Sequence, residues 1–162
     1  MAQGTFERRE LKYLISAKQK KNILDGMKPH MEPDEYGRSV ICSLYYDTPD
    51  YLLIRRSLEK PVYKEKLRLR SYGVAKPHST VYVELKKKYR SVVYKRRVAM
   101  QEQEAMEYLS SGKKSEDNQM MREIDYFMSY YHNPKPSVFL SYEREAFYGI
   151  EDFEFRVTFD EN

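Results

Sequence analysis

A chain of 162 residues has room for one domain with a sizeable apolar core, and it needs no disulfide or metal staple to fold. With 29 Lys and Arg against 25 Asp and Glu, the net charge of +4 is too mild for a histone-like coat, so any anion-binding role depends on where the cations fall. One cysteine excludes an internal disulfide framework, no stretch approaches the roughly 18 apolar residues of a membrane span, and no signal-peptide core opens the chain, so a soluble, cytoplasmic protein is expected.

A mean hydropathy of −0.83 and 33% charged residues lean toward disorder. The 16 tyrosines and 7 phenylalanines outweigh that, because each ring brings a large buried area. In chain order, Phe6 to Ile15 alternates, with Leu11, Tyr13 and Ile15 opposite Arg8, Glu10 and Lys12, and predicts a strand. Ser16 caps a predicted helix to about Met27, with Ile23, Leu24 and Met27 inward and Pro29 closing it. A second strand is expected over Val40 to Asp47, with Cys42 as a small buried hydrophobe, and Thr48-Pro49 then opens a short helix, Asp50 to about Ser57. Tyr63 to Tyr72 sets Leu67 and Leu69 against Lys64, Lys66, Arg68 and Arg70, and Gly73 ends it. Thr80 to Lys88 sets Val81, Val83 and Leu85 against Tyr82, Glu84, Lys86 and Lys88, and Ser91 to Met100 carries Lys95 and Arg97 on one face. Two helices follow, about Glu102 to Ser110 (closed by Gly112) and about Glu116 to Tyr131, the second with Met120, Ile124, Phe127, Met128 and Tyr131 at core spacing. Ser137 to Phe147 and Asp152 to Asp160 read as a hairpin pair.

Strands with one wholly charged face suit either an open sheet with that face in water or a closed barrel with the charges in its lumen. The opposite faces are apolar enough to lie under helices, which favours the lumen, and a lumen so rich in cations needs a polyanion to relieve its repulsion. The expected fold is α+β: an antiparallel β-tunnel of about seven strands with helices packed outside.

Five segments carry more information than composition does. They are Glu10-Leu11-Lys12-Tyr13, Leu67-Arg68-Leu69-Arg70, Glu84-Leu85-Lys86, Tyr94-Lys95-Arg96-Arg97, and Tyr142-Glu143-Arg144 followed by Phe155-Arg156-Val157-Thr158-Phe159-Asp160. In this order, with Ser43-Leu44-Tyr45-Tyr46-Asp47 before the helix at Pro49, the chain from Phe6 to Asp160 resembles the VTC domain, the polyphosphate-polymerase branch of the CYTH-like triphosphate tunnel metalloenzymes. The resemblance implies one tunnel domain over residues 1–162, with Lys12, Arg68, Arg70, Lys86, Lys95, Arg144 and Arg156 holding phosphate, and the first five of these carrying the catalysis. It implies ATP or another nucleoside triphosphate as donor, inorganic polyphosphate as acceptor and product, and Mn2+ or Mg2+ as cofactor. The chemistry is consistent with that set, since phosphoryl transfer needs positioning and charge neutralisation more than a nucleophilic side chain.

Two departures qualify the resemblance. Arg8 stands where hydrolytic members carry an acid, which leans toward the polymerase branch over a triphosphate hydrolase. The family continues to a last strand with a metal-binding glutamate, whereas this sequence stops at Asn162: either it is a truncated piece, or the tunnel is incomplete at its C-terminal strand and leaves open edges through which two copies pair. Glu10, Glu84 and Asp160 are then the remaining candidate metal ligands, with salt bridging to neighbouring cations as their competing role. His30, His78 and His132 lack ligand spacing and read as surface residues, as do Lys87 and Arg55-Arg56. A non-catalytic module that binds polyphosphate or nucleic acid is the other reading, although the tyrosines lack the spacing of a base-stacking platform.

Overall fold

The computed structural model describes residues 10–90, 92–114 and 116–161. Among these, the elements run α1 (Ala17–Met27), β1 (Met31–Asp47), α2 (Leu52–Leu58), β2 (Tyr63–Tyr72), β3 (Thr80–Tyr89), β4 (Val92–Gln101), α3 (Glu102–Ser111), α4 (Gln119–Tyr130), β5 (Lys135–Gly149) and β6 (Arg156–Glu161). The strands form one antiparallel sheet in the order β4-β3-β2-β1-β5-β6, and it does not close among the described residues. The class is α+β, as expected. The chain falls into two compact units, one of residues 42–140 and one of residues 10–41 with 141–161.

In the first unit, alternation fixes the sheet. Leu67 and Leu69 of β2 and Val81, Val83 and Leu85 of β3 are buried in one apolar cluster with Ala105, Tyr108 and Leu109 of α3 and Met121, Ile124 and Phe127 of α4. Each large side chain buried this way contributes about 1.5–3 kcal/mol, which locks the register because a one-residue slip would turn the whole row outward. Gly112 ends α3 in the left-handed region at φ +77, and the Asn118 side chain starts α4 by accepting the Met121 amide at 3.0 Å.

Several boundaries differ from the sequence reading. The helix after Pro49 begins two residues further on, because the Thr48 hydroxyl accepts the Leu52 amide at 2.9 Å and the Asp47 carboxylate accepts those of Leu53 and Ile54 at 2.9 and 3.0 Å. Capping groups, rather than the proline, set that start. On α4 it is Met121 that is buried, while Met120 is exposed. Lys87 is half-buried on the helix-facing side, 3.4 Å from Glu123 of α4, and Arg96 shares the same carboxylate at 3.1 Å. Cys42 is buried and the three histidines are exposed, as expected.

In the second unit, α1 carries the full capping box: Ser16 and Gln19 each accept the other's backbone amide. Ile23 is exposed, with only Leu24 and Met27 half-buried. β1 is nine residues longer than expected, running through Pro33 and through Gly37 at φ +55, two residues that read as breakers. Of the strand predicted over Phe6 to Ile15, residues 6–9 lie outside the described residues, and Glu10 to Ile15 are not in a strand, with Leu11, Tyr13 and Leu14 exposed. An alternating pattern becomes a strand only where a neighbour takes its hydrogen bonds. β6 starts at Arg156 instead of Asp152, because Asp152 to Phe155 form a turn in which the Asp152 carbonyl accepts the Phe155 amide at 3.1 Å. Phe159 is buried while Phe153 and Phe155 are exposed.

Candidate anion-binding site

Covering one face of β2-β3-β4 with helices leaves the other to the alternate residues. Cross-strand register places Arg70 opposite Tyr82 and Ala99, Arg68 opposite Glu84 and Arg97, Lys66 opposite Lys86 and Lys95, and Lys64 opposite Lys88 and Val93. Among the described residues of these three strands, eight cations therefore share that face with one carboxylate, Glu84.

Glu84 is 1% exposed. Its Oε2 accepts from Arg68 Nε at 2.7 Å and lies 2.6 Å from Arg68 NH2, while Arg70 Nε is 3.9 Å away. On the other oxygen, Lys95 Nζ is at 2.8 Å and Arg97 Nε at 3.4 Å, which completes the ring of cations around the carboxylate. Burial pushes the Glu84 carboxyl up, but the charges of Arg68, Lys95 and Arg70 outweigh it and hold it below the usual carboxylate range. Burial likewise works against the Arg68 charge, and Glu84 and Tyr45 more than restore it.

Tyrosines brace the arginines. The Tyr45 hydroxyl is 3.0 Å from Arg68 NH1, and the Ser43 hydroxyl lies 3.4 Å from Arg70 Nε. Arg97 sits 3.6 Å above the Tyr82 ring and donates to the Tyr72 hydroxyl at 3.0 Å, with Tyr72 set edge-on to Tyr82. Arg97 was read on the cationic face but not assigned a role, and Tyr72 and Tyr82 escaped notice as its supports. Register across β3 and β4, once aligned, would have supplied all three.

Of the residues picked from the sequence, the structure brings Arg68, Arg70, Lys86, Lys95 and Glu84 onto this face. Lys12, Arg144, Arg156, Glu10 and Asp160 belong to the other unit. There Lys12 is 3.5 Å from Glu10, both exposed. Arg144 grips Asp160 through two bonds of 2.6 and 2.7 Å, and Arg156 lies 5.6 Å from the Tyr148 ring.

Each of the three candidate metal ligands meets a cation within its own unit. Glu84 is enclosed by cations, Asp160 is taken by Arg144, and Glu10 faces Lys12; among the described residues no group of three or more His, Cys, Asp or Glu is placed to hold a metal ion. A bound divalent ion wants carboxylate oxygens free of competing cations, so these side chains do not fit one. A cleft of about 610 Å3 opens beside Asp50, Arg56, Tyr130 and His132, but it holds a single cation side chain of the Lys or Arg type, against eight on the sheet face.

The model of the VTC domain family matches residues 7–162. The chain belongs to the VTC domain family. No curated protein matches it in sequence. Two solved structures bearing the description "putative adenylate cyclase" are similar to this VTC domain in fold. One, from Bacillus halodurans, has a TM-score of 0.54 at 16% identity and covers 91% of this chain and 76% of its own. The other, from Vibrio parahaemolyticus, has a TM-score of 0.47 at 13% identity and covers 91% of this chain and 63% of its own. The first likeness, with the family match, gives this VTC domain the CYTH-like tunnel fold. No helix among the described residues is long and apolar enough to cross a membrane.

Proposed function

We propose that this VTC domain binds a nucleoside triphosphate on the cationic face of β2-β3-β4 and transfers its terminal phosphoryl group to a growing polyphosphate chain. The observation that carries the reading is the excess of eight cations over one buried carboxylate on that face. A charge surplus held half out of water is costly until an anion offsets it, and a chain of phosphates matches both its sign and its length along three strands.

In the transfer, an oxygen of the chain's terminal phosphate forms a bond to the γ-phosphorus. The bond from that phosphorus to the β–γ bridging oxygen breaks, and the electron pair leaves with the nucleoside diphosphate. Arg70, Lys86, Lys95 and Arg97 neutralise the charge that accumulates on the phosphate oxygens. Arginine does so as an oriented fork and lysine as a mobile point charge. Arg68, with its nitrogens on Glu84 and Tyr45, meets the phosphates as a fixed positive wall. Lys12, Arg144 and Arg156, which belong to the other unit, are further proposed phosphate ligands on the family motif alone. For Arg144 that requires Asp160 to let go. Mg2+ or Mn2+ would supply further neutralisation of the phosphate charge, and the described carboxylates do not form a seat for it.

The same carboxylate arrangement favours a second reading, a module that binds polyphosphate without turning it over. Incubation with ATP and manganese separates the two: polyphosphate on a gel with matching nucleoside diphosphate supports transfer, whereas free phosphate alone replaces it with hydrolysis. Tight polyphosphate binding with no turnover leaves the binding module.

A further inference from the structure

The cleft of about 610 Å3 between α2 and the end of α4 shares no residue with the cationic face. Its walls divide by chemistry. One is aromatic: Tyr130 stacks on Tyr126 with ring centroids 5.9 Å apart and planes 24° apart, and it meets Tyr131 edge-on at 4.9 Å. Tyr131 is anchored in turn, packed on Phe127 and donating to Glu65 Oε1 at 2.8 Å. The Tyr130 ring is thus fixed in place, yet Tyr130 is 57% exposed. The second wall is cationic. Of the two arginines on α2, Arg55 closes on Asp50 at 2.6 Å, whereas Arg56, which lines the cleft, has no carboxylate partner among the described residues. Burial and Glu65 push the Tyr131 hydroxyl pKa up, and the charge of Arg56 works against them, which places that charge at the aromatic wall.

The third wall accepts hydrogen bonds. Asp50 receives the Thr48 hydroxyl at 2.6 Å and Arg55 NH2 at 2.6 Å, and these hold its carboxyl below the usual range. An ionised carboxylate with two such bonds still has lone pairs for a ligand's hydroxyls. The rim also carries backbone strain. Of five described non-glycine residues at positive φ, three stand in it or beside it: Tyr51 at 57°, His132 at 56° and Asn133 at 58°. Such conformations are costly for L-residues and gather where a ligand is clamped.

We propose that this cleft is a separate binding site for a nucleoside monophosphate, with the base against Tyr130, the sugar hydroxyls on Asp50 and the phosphate on Arg56 and His132. The site does not depend on what the cationic face holds. Its volume lies within the range of small-molecule sites, about 300–1,000 Å3. A lone guanidinium suits one phosphate, whereas a chain of phosphates gains far more from eight cations. Asp50 argues the same way, since its charge accepts from hydroxyls but repels each added phosphate. Phosphotyrosine peptides are held by clusters of arginines, and this cleft offers one.

The test is calorimetric titration of the full chain with AMP, adenosine, inorganic phosphate and a phosphotyrosine peptide, all in the same excess of tripolyphosphate to occupy the cationic face. Wild type, Y130A, R56Q and R70A are compared. Tyr130 and Arg56 are exposed, so both cleft variants should fold, as a melt will show. AMP should bind wild type despite the tripolyphosphate, with adenosine and phosphate at least about tenfold weaker. Y130A and R56Q should each lower AMP affinity about five- to tenfold, the scale of one lost base stack or one lost charge-assisted contact, and R70A should not change it. AMP that tripolyphosphate displaces, or that R70A weakens, sits on the cationic face and overturns the separate site. So does AMP that fails to bind, or that binds Y130A and R56Q as it binds wild type. A phosphotyrosine peptide that binds more tightly than AMP gives the cleft to a protein partner and overturns the nucleotide.

Discussion

The face of β2-β3-β4 and the β5-β6 hairpin are both rich in charge, yet they handle it in opposite ways. On the hairpin and its neighbours in the second unit, each of three cations meets at least one acid: Lys20 lies against Glu145 and Glu161, Arg38 against Glu143, and Arg144 against Asp160. Glu145 and Glu161 raise the Lys20 pKa, as a satisfied ion pair should. On the β2-β3-β4 face, one buried glutamate serves four cations, Arg68, Arg70, Lys95 and Arg97. Paired charges cement a surface, and surplus charge waits for a ligand. Counting motifs along the sequence treats Arg144 and Arg70 alike, whereas their partners set them apart.

The largest way to break this comparison is at Glu84. Replacing it with glutamine leaves Arg68, Arg70, Lys95 and Arg97 without their shared anion in a buried place, and should cost about 3–5 kcal/mol of stability in a urea titration. Polyphosphate should return part of that stability by supplying the lost negative charge. The pH dependence follows the same group. Its folded pKa is depressed, so its contribution is complete above the unfolded value near 4.3 and is lost as pH falls through the lower folded value. A urea midpoint indifferent both to E84Q and to acid would mean that the cations do not depend on this carboxylate.

Next come the arginines. R70A should weaken triphosphate binding by about 1.5–3 kcal/mol, the scale of a lost charge-assisted hydrogen bond, with stability little changed. R68A should weaken binding too, but it should also destabilise the fold, since Arg68 supplies Glu84's two shortest contacts. Unchanged calorimetric affinity in both variants would empty the face of its proposed role.

That contrast shows where sequence reading succeeds and where it stops. The apolar rows Leu67, Leu69 and Val81, Val83, Leu85 alternate cleanly, and burial against helices follows from period alone, so strands β2, β3 and β4 were legible to within a residue or two. The cationic rows came with them, because fixing one face of a strand fixes the other. Partner choice did not. Glu84, Asp160 and Glu10 look the same in sequence as acids on basic strands; cross-strand register shows that the first is buried among four cations and the second belongs to Arg144, while the third lies beside Lys12 outside any strand. The segment from Glu10 to Ile15 failed for a related reason: a strand is a property of two segments, and the pattern of one cannot name its neighbour.

A smaller effect sharpens the account of Arg97. Its guanidinium lies on Tyr82 and donates to the Tyr72 hydroxyl, and Y72F removes only the second contact. Loss of one neutral acceptor should cost about 0.5–1.5 kcal/mol of triphosphate affinity if Arg97 must be pre-oriented. Tyr72 is half exposed, so the fold itself should not notice. An affinity equal to wild type would show that the Tyr82 ring alone aims Arg97.

The smallest expected change has the opposite sign and tests the paired region directly. Arg144 stands in the proposed phosphate set, but two hydrogen bonds of 2.6 and 2.7 Å commit it to Asp160. The pair is partly exposed, so its own worth is modest, about 0–1 kcal/mol. D160N removes the competing charge while keeping the shape, and leaves a cation with a full positive charge to offer. If Arg144 takes part in holding phosphate, triphosphate affinity should rise two- to fivefold, a gain of the same modest scale. R144A alone should then lower affinity by less than R70A does, because in the wild type part of the energy of the Arg144–phosphate contact is spent displacing Asp160. A D160N protein that binds triphosphate no better than wild type, beside an R144A protein that binds no worse, would assign the pair to holding β5 against β6. The phosphate site would then be made of the surplus cations on the other face.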